Sequence, residues 1–409
     1  MTKKSKPCAK LLISAFVVSP FIYASAASAA PTPNPENEID IYYDDLTHIV
    51  TKDGSTHLKV EMRLQSRYST PFEGNPKSIT ELQEDAVSSF GLNRARFKVG
   101  GHIHQPWIKL KYEYDLNNSQ TLDARITLEQ SDAFHFRFGR MKAHYNPERV
   151  TSSKDQQFVD RSMVNGYFTL DRQQGISFMG RFNKGTALDL NYSFDVFNGT
   201  GREGDNESDD FMYVARLQSN FLGEKVSSAM GDLKISQKPA AHIAVATSTN
   251  ESRYTRFSTN APGQVNELDD HTEADGYRLE QWMVDAAYRY KGFSFQAEYH
   301  NKDIVDQYEQ NFSGTLNMTG YYAQAGFFPN QLMASIPRQL ELAARYSTVD
   351  PDTSIDHNNE REYLVAANWF FNGHRSKVSA DIGRYEIDDA VTNITESENR
   401  IRLQYDLSF

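Results

Sequence analysis

Hydrophobic and polar positions alternate with a period of two along most of the chain. In segment 57–68, Leu58 and Val60 alternate with Lys59 and Glu61. Successive side chains of a β-strand point to opposite faces, so this segment has one apolar surface and one charged surface. The pattern therefore predicts a strand, and no segment after residue 30 has the long apolar run of a transmembrane helix.

The same alternation recurs and predicts about 16 strands. They span 57–68, 90–100, 106–116, 121–130, 134–141, 175–182, 186–197, 210–219, 240–248, 277–290, 292–301, 318–328, 339–347, 361–371, 374–385 and 400–409. An even number of strands is typical of bacterial barrels. We predict an all-β protein, a transmembrane antiparallel β-barrel of about 16 strands. The alternative is a soluble antiparallel sheet with one solvated face.

The predicted connections alternate between short and long, which supports the barrel. If the first strand runs outward, the short returns are 130–133, 183–185, 291–292 and 372–374. The opposite connections are longer, at 69–89, 142–174, 198–209, 249–276, 302–317, 348–360 and 386–398. Two connections depart from this rule, because 117–120 is short and 220–239 is long. Short periplasmic turns and longer extracellular loops are typical of outer-membrane barrels.

The two ends of the chain fit export to the outer membrane of a bacterium. Residues 1–30 combine lysines, an apolar stretch and small residues near Ala29, which predicts a cleaved signal peptide. Residues 31–54 are predicted as a periplasmic N-terminal segment and hairpin with a turn at Asp53-Gly54, and 55–409 as the barrel. The alternating strand that ends on Phe409 is typical of barrels inserted by the outer-membrane machinery.

Composition narrows the chemistry further. The formal charge is −11, or −15 without the four leader lysines, which disfavours nucleic acid as a partner. The single cysteine, Cys8, lies in the leader, so we expect no disulfide in the exported protein. We also expect no cofactor and no metal, because no metal-ligand or phosphate-loop motif occurs; a turn is favoured over a metal site at His102 and His104.

If the apolar face meets lipid, basic residues on the first five strands face the lumen. These predicted pore-lining residues are Lys59, Arg63, Arg67, Arg94, Arg96, Lys98, Lys109, Lys111, Arg125 and Arg137. Only five acidic residues, at positions 61, 113, 115, 123 and 129, share that face. Arginines and lysines lower the barrier for anions in a narrow pore. The alternative is a wall whose charges neutralise one another.

The longest predicted loop, 142–174, is a candidate constriction that folds into the barrel. Its charged residues of interest are Lys142, Arg149, Lys154, Asp160, Arg161 and Arg172. Opposed basic and acidic walls would create a transverse field across the pore. The alternative is a loop that caps the barrel from outside.

The residues around this loop resemble a known family. The matching residues are Phe138-Gly139-Arg140-Met141-Lys142, Pro147-Glu148, Thr151-Ser152-Ser153, Phe158, Asp160-Arg161-Ser162, Asp171-Arg172, Gly175, Phe197-Asn198-Gly199, Gly320-Tyr321-Tyr322, Gly326, Glu341-Leu342-Ala343-Ala344-Arg345-Tyr346 and Asp350. In order and spacing, over roughly 48–409, they are similar to the phosphate-selective porin O/P family. The resemblance implies a homotrimer of 16-stranded barrels with inward-folded loops, and it carries over Lys142, Arg161 and Arg172 as loop positions.

Together these features predict an outer-membrane porin, not an enzyme, that passes small hydrophilic solutes by diffusion. Its expected partners are outer-membrane lipid, lipopolysaccharide and small anionic solutes such as phosphate or polyphosphate. A general or cation-tolerant porin without phosphate preference is the first alternative. A barrel hydrolase is the alternative from another class.

Overall fold

The computed structural model describes residues 38–76, 78–83, 87–202, 204–206, 209–257, 262–265 and 268–409. The predicted signal peptide, residues 1–30, lies outside the described residues. No helix in the described part of the chain is long and apolar enough to cross a membrane.

The described chain forms strands almost throughout. They are β1 (Ile39–Asp44), β2 (Leu46–Thr51), β3 (His57–Thr70), β4 (Ser89–Ile103), β5 (Gln105–Asp115), β6 (Gln120–Ser131), β7 (Phe134–Lys142), β8 (Arg172–Phe182), β9 (Leu190–Phe197), β10 (Met212–Ser219), β11 (Ala240–Ser252), β12 (Tyr277–Tyr290), β13 (Phe293–Asp306), β14 (Thr315–Phe327), β15 (Leu340–Asp350), β16 (Glu360–Asn372), β17 (Ser376–Asp389) and β18 (Ile394–Ser408). Three short helices are α1 (Ile79–Gln83), α2 (Pro147–Val150) and α3 (Val164–Phe168).

Strands β3 to β18 form a closed antiparallel barrel of 16 strands. Each strand pairs with its neighbour in sequence, and β18 pairs with β3 to close the ring, with Ile401 opposite Thr70 and Ser408 opposite Arg63. Closure leaves no unpaired sheet edge around the ring, as a wall in lipid requires. Each of the 16 predicted segments falls on one of these strands, so the predicted fold class is confirmed.

The N-terminal hairpin of β1 and β2 continues the wall at one end. Strand β2 pairs with the beginning of β3, where Thr47 lies opposite Val60. Strand β18 pairs with the rest of the same edge of β3. The hairpin therefore extends the line of β18, and Asp53 and Gly54 lie in the turn between β2 and β3.

The connections differ at the two ends of the barrel. The short-turn end carries 104, 132–133, 183–189, 220–239, 291–292, 328–339 and 373–375, and the long-loop end carries 71–88, 116–119, 143–171, 198–211, 253–276, 307–314, 351–359 and 390–393. Several strands reach further into the long-loop end than predicted, since β13 continues to Asp306 and β18 begins at Ile394. Backbone pairing there continues beyond the apolar alternation on which the prediction relied.

The outward face of the barrel is apolar. Leu217, Val245, Trp282, Val365 and Leu403 lie on this face and are 46–55% exposed. Inward residues of the same strands are mostly buried polar or charged groups. A water-soluble β-protein has the opposite arrangement, so this distribution is that of a barrel in lipid.

Three connections from the long-loop end fold into the barrel and fill one side of it. Met163 and Phe168 of 143–171 pack with Phe257 of 253–276 and with the wall residues Tyr277 and Ile304. Phe158 and Leu82, the latter from α1, form a second apolar cluster with Tyr385 of β17. These clusters narrow the lumen beside β9 to β17, and a cavity remains between the loop and β3 to β8.

Two inward glycines of β14 allow the loop to approach the wall. A Cβ on Gly326 would lie 1.9 Å from Nε2 of Gln157, and a Cβ on Gly320 would lie 2.7 Å from the ring of Phe168. A larger residue at either position would therefore require Gln157 or Phe168 of loop 143–171 to move.

Candidate functional site

Loop 143–171 crosses the barrel and is tied to the wall on its far side. Arg63 of β3 donates a hydrogen bond to the Ser153 hydroxyl at 2.7 Å, and Lys377 of β17 donates to the Gln156 carbonyl at 2.6 Å. Both cations are buried. Buried cations with satisfied hydrogen bonds hold a loop far more firmly than exposed ones.

Arg345 of β15 is a further tether. It donates to the backbone carbonyls of Asp160 at 3.0 Å and Arg161 at 3.2 Å, and it pairs with Glu362 at 2.9 Å. Its guanidinium also lies 4.5 Å from the centre of the Phe158 ring. One side chain thus connects the loop to two strands of the wall.

The long connection 220–239 supports the same loop from the opposite end of the barrel. Thr151 donates to the Ser228 carbonyl at 2.9 Å, and the backbone N–H of Met230 donates to the Asp155 carbonyl at 2.8 Å. This connection was an exception among the predicted short turns. Its length is explained because it folds inward and contacts loop 143–171.

A cavity of about 410 Å³ lies between the loop and the wall of β3 to β8; we call it the basic cavity. Its charged lining residues are Arg96, Lys98, Lys111, Arg125, Arg137, Lys142, Lys154, Arg172, Glu61, Glu113 and Asp123. Eight are basic and three are acidic, so the formal charge on the lining is positive by five. His144, Val150, Ser152 and Ser153 complete the lining.

Two of the carboxylates are each shared by several cations. Asp123 pairs with Lys111 at 2.6 Å and with Arg172 at 3.2 Å. Glu113 pairs with Arg96 at 3.0 Å, with Lys111 at 3.2 Å and with Arg172 at 3.7 Å. Arg96 also lies 3.9 Å from Asp115, and Arg172 lies 3.7 Å from Asp171, so the charges of this group are largely compensated.

The remaining cations are less neutralised. Glu61 is shared by Lys98 and Lys154, each at 3.0 Å. Within the described chain, Arg125 has no ion pair or side-chain hydrogen bond. Arg137 donates to the Thr127 hydroxyl at 2.9 Å and lies 3.0 Å from Nε2 of His144. Arg125 and Arg137 are therefore the cations best placed to meet a solute anion.

The structure sorts the 16 residues that the sequence singled out. Those on the basic cavity are Arg96, Lys98, Lys111, Arg125, Arg137, Lys142, Lys154 and Arg172. Lys142 and Arg172 are the last residue of β7 and the first of β8, so the loop is shorter than predicted. Lys59 and Lys109 lie on β3 and β5 toward the short-turn end and do not line the cavity.

Arg63, Arg67 and Arg94 point inward, as predicted, but they do not border open space. Loop 143–171 covers them, and Asp160 lies 3.2 Å from Arg67 and 3.9 Å from Arg94. The prediction that these arginines line the pore is corrected accordingly. Burial would raise the pKa of Asp160, but Arg67 and Arg94 hold that pKa well below its usual range.

Arg149 and Arg161 also depart from the prediction, because they act within the loop. Arg149 pairs with Asp171 at 2.7 Å. Arg161 donates to the carbonyls of Glu148 at 2.9 Å and Thr151 at 2.8 Å. Those carbonyls belong to the end of α2, where backbone acceptors lack helical partners. Both arginines therefore stabilise the loop and do not face the cavity.

Sequence reasoning missed the tethers on the second half of the barrel. Arg345, Lys377 and Asn368 lie on the inward faces of β15 to β17, and Asn368 donates to the Gln157 carbonyl at 2.8 Å. The alternation in those strands gave the same signal as in β3 to β7. The predicted pore-lining set covers the charges of the first five strands only, so it does not include these residues.

A Ser–His–Asp group occurs beside the cavity, but its geometry is not that of a hydrolase triad. Ser177 and Asp195 both approach Nδ1 of His144, at 3.3 Å and 3.0 Å, while Arg137 approaches the other ring nitrogen. A catalytic triad needs the nucleophile and the carboxylate on opposite nitrogens. These contacts instead hold His144 in place on the lining.

Glu148 predicts a pH dependence of the loop. Burial raises its pKa to about 7, and although Arg345 opposes this shift, Glu298 adds to it. The carboxyl also accepts hydrogen bonds from the N–H and hydroxyl of Ser162, each at 2.7 Å. The pKa of Glu148 is higher in the folded protein than in the unfolded chain. Its contribution to the stability of the folded loop is therefore complete below pH 4.5 and is lost as the pH rises through about 7.

We therefore expect more open-channel noise from loop movement at pH 8 than at pH 5, measured in single-channel recordings. Glu148→Gln should remove the difference, because glutamine does not titrate. Glu280→Gln, at an exposed site on β12, is the matched control. Equal noise at both pH values in the unaltered protein would contradict the prediction.

Comparison with known proteins identifies the barrel. The family model described as phosphate-selective porin O and P matches residues 65–407. This chain belongs to that family. It is an outer-membrane porin, so its short-turn end faces the periplasm. A comparison with curated proteins finds no match.

Solved porins share the fold. The anion-selective porin from Comamonas acidovorans is 11% identical with a TM-score of 0.55, and the match covers 86% of this porin and 99% of that chain. OmpF of Salmonella typhi, in complex with daunomycin, is 12% identical with a TM-score of 0.55, covering 90% and 100%. The outer membrane channel DcaP of Acinetobacter baumannii is 10% identical with a TM-score of 0.54, covering 86% and 97%.

Proposed function

We propose that this porin conducts small anions in preference to cations, and that phosphate-like anions dwell in the basic cavity. The excess of eight basic over three acidic side chains on the lining supports this proposal most directly. In a narrow, partly desolvated space, such an excess lowers the barrier for anions and raises it for cations. The family description and the anion-selective porin from Comamonas acidovorans point the same way.

The cavity offers donors suited to phosphate. The guanidinium of Arg125 has no partner within the described residues, and Arg137 lies on the next strand, since Arg125 is opposite Gly139 in the pairing of β6 with β7. One guanidinium group can donate two parallel hydrogen bonds to two oxygens of a phosphate. Lys142 is less available, because it donates to the carbonyls of Arg149, Val150 and Thr151.

The wild-type porin in a planar bilayer tests the proposal. In a KCl gradient, the reversal potential should lie toward the chloride equilibrium potential. Inorganic phosphate should then reduce the chloride current in a saturable manner, because it occupies the same cavity. A reversal potential toward that of potassium would contradict anion preference, and chloride current unaffected by phosphate would contradict the phosphate site.

A general porin is the second candidate, and the ion pairs of the cavity favour it. Five of the eight cations on the lining pair with the three carboxylates, which reduces the field that an anion experiences. A weak chloride preference without phosphate block would support this candidate. Both candidates are passive channels, in keeping with the predicted diffusion of small hydrophilic solutes.

We also propose that the porin is a homotrimer, on the basis of the family resemblance. Closed cyclic symmetry is the usual form of such assemblies. The mass of the detergent-solubilised porin, measured by light scattering with the detergent subtracted, should equal three chains. A mass of one chain would contradict the trimer.

A further inference from the structure

A second cavity lies on the periplasmic side of loop 143–171; we call it the lower chamber. It measures about 470 Å³ and shares His144 and Val150 with the basic cavity, so the two adjoin. Its walls come from β7 to β13, and residues 225–228 of the inward-folded connection complete them. An anion that leaves the basic cavity toward the periplasm therefore meets this chamber next.

The lower chamber contains a buried cation without a counter-ion. Arg289 of β12 lines the chamber and is 7% exposed, yet its side chain makes no hydrogen bond or ion pair within the described part of the chain. Asp232 and Glu341 are the acidic residues whose charges act on Arg289, but both carboxylates accept hydrogen bonds from other groups. Asp232 accepts from the N–H of Gly292 at 2.8 Å, and Glu341 accepts from the Gln157 amide at 2.8 Å.

Two further polar atoms on the chamber residues are buried without partners. They are the hydroxyl of Tyr145 and Nδ1 of His242. The other ring nitrogen of His242 bonds to Asp285 at 2.9 Å, and Asp285 also pairs with Arg216. Buried polar atoms in folded proteins normally have partners, so the polar groups around this chamber are less satisfied than is usual.

The chamber also differs from the basic cavity in its apolar surface. Val226 and Ala287 pack together there, and Pro147, Val150 and Met179 add further aliphatic surface. Bare phosphate gains nothing from such walls, because they cannot replace the hydrogen bonds of its water shell. A guanidinium in a largely apolar pocket instead suits an anion that carries an apolar body.

We propose that the lower chamber is a binding site for an organic monocarboxylate with an apolar body, whose carboxylate pairs with Arg289. The apolar body lies against the aliphatic wall around Val226 and Ala287. The site is separate from the phosphate-like site of the basic cavity and depends only on the chain being a porin. It would let the channel retain organic acids that the basic cavity alone does not distinguish from inorganic anions.

Block of the chloride current in a planar bilayer tests this site, with benzoate as the probe and acetate as the comparison. Benzoate should block at a concentration about tenfold lower than acetate, because its apolar ring is removed from water when it binds in the chamber. Arg289→Gln should raise the half-blocking concentration of benzoate about tenfold, since it removes the charged partner. Lys291→Gln, on the adjacent turn, is the matched control and should change nothing.

The outcomes separate this site from the proposed phosphate site. Benzoate block that depends on Arg289, with no phosphate block, would support the chamber and refute phosphate binding. Equal block by acetate and benzoate, or benzoate block unchanged by Arg289→Gln, would overturn the chamber proposal. If Arg289→Gln does not assemble, Val226→Ser serves instead. Val226→Ser should weaken benzoate block and leave acetate block unchanged. Benzoate block as strong as in the unaltered porin would overturn the proposal.

Discussion

Replacing both Arg125 and Arg137 with glutamine should reduce the chloride-to-potassium permeability ratio by a factor of about 30 or more. The substitutions remove two positive charges from the lining of the basic cavity, which carries eight basic and three acidic residues. A unit charge about 4 Å from an ion contributes about 1 kcal/mol even with the screening of water. Two such charges amount to about 2 kcal/mol for chloride, or roughly thirtyfold. The opposite effect on potassium changes the ratio in the same direction.

The reversal potential in a KCl gradient measures this change, and single variants divide it. Arg125→Gln should shift the potential at least as far as Arg137→Gln, because Arg137 is already engaged with Thr127 and His144. Arg384→Gln removes an arginine of the outer surface, whose side chain is 54% exposed, and is the matched control. An unchanged reversal potential in the double variant would refute the basic cavity as the selectivity site.

The same experiment distinguishes the cavity from the covered arginines. Arg63 and Arg67 are 0% and 4% exposed beneath the loop, and they pair with Asp406 and Asp160. Their charges are therefore largely compensated before an anion arrives. A count of inward arginines would assign Arg63 and Arg67 the same contribution to anion selectivity as Arg125.

The barrel could be predicted from the sequence because its signal is local. Alternation needs only neighbouring residues, as in Leu58 and Lys59, and it identified all 16 strands of the ring. Where the alternation loses its apolar half, as in the last residues of β13, the backbone stays paired and the prediction ended too early.

The site was less predictable because its contacts are distant in sequence. Ser153 covers Arg63 from 90 residues away, and no local pattern predicts that contact. Arg161 has the same charge and the same loop position as a pore residue, yet it binds the carbonyls at the end of α2. The excess length of 220–239 is visible in the sequence, but its contact with loop 143–171 is not.

Arg345→Met should increase the conductance and its fluctuations several-fold by releasing loop 143–171 from the wall. The side chain holds the carbonyls of Asp160 and Arg161, and its removal also leaves Glu362 as a buried carboxylate without its cation. Breaking a buried ion pair on one side costs about 3–5 kcal/mol. We therefore expect a lower unfolding temperature as well, measured by the loss of SDS-resistant folded barrel.

A second substitution separates the tether from the stability of the barrel. Glu362→Met in addition to Arg345→Met removes the unpaired carboxylate, so much of the unfolding temperature should return, because a buried pair can be replaced by apolar residues at little cost. The loop still lacks its tether, so the raised conductance should persist. Arg384→Met should leave both measurements unchanged, since that ion pair is exposed. If the double variant restored the original conductance along with stability, the loop would be held by the remaining contacts of Ser153 and Gln156, and Arg345 would serve the barrel wall alone.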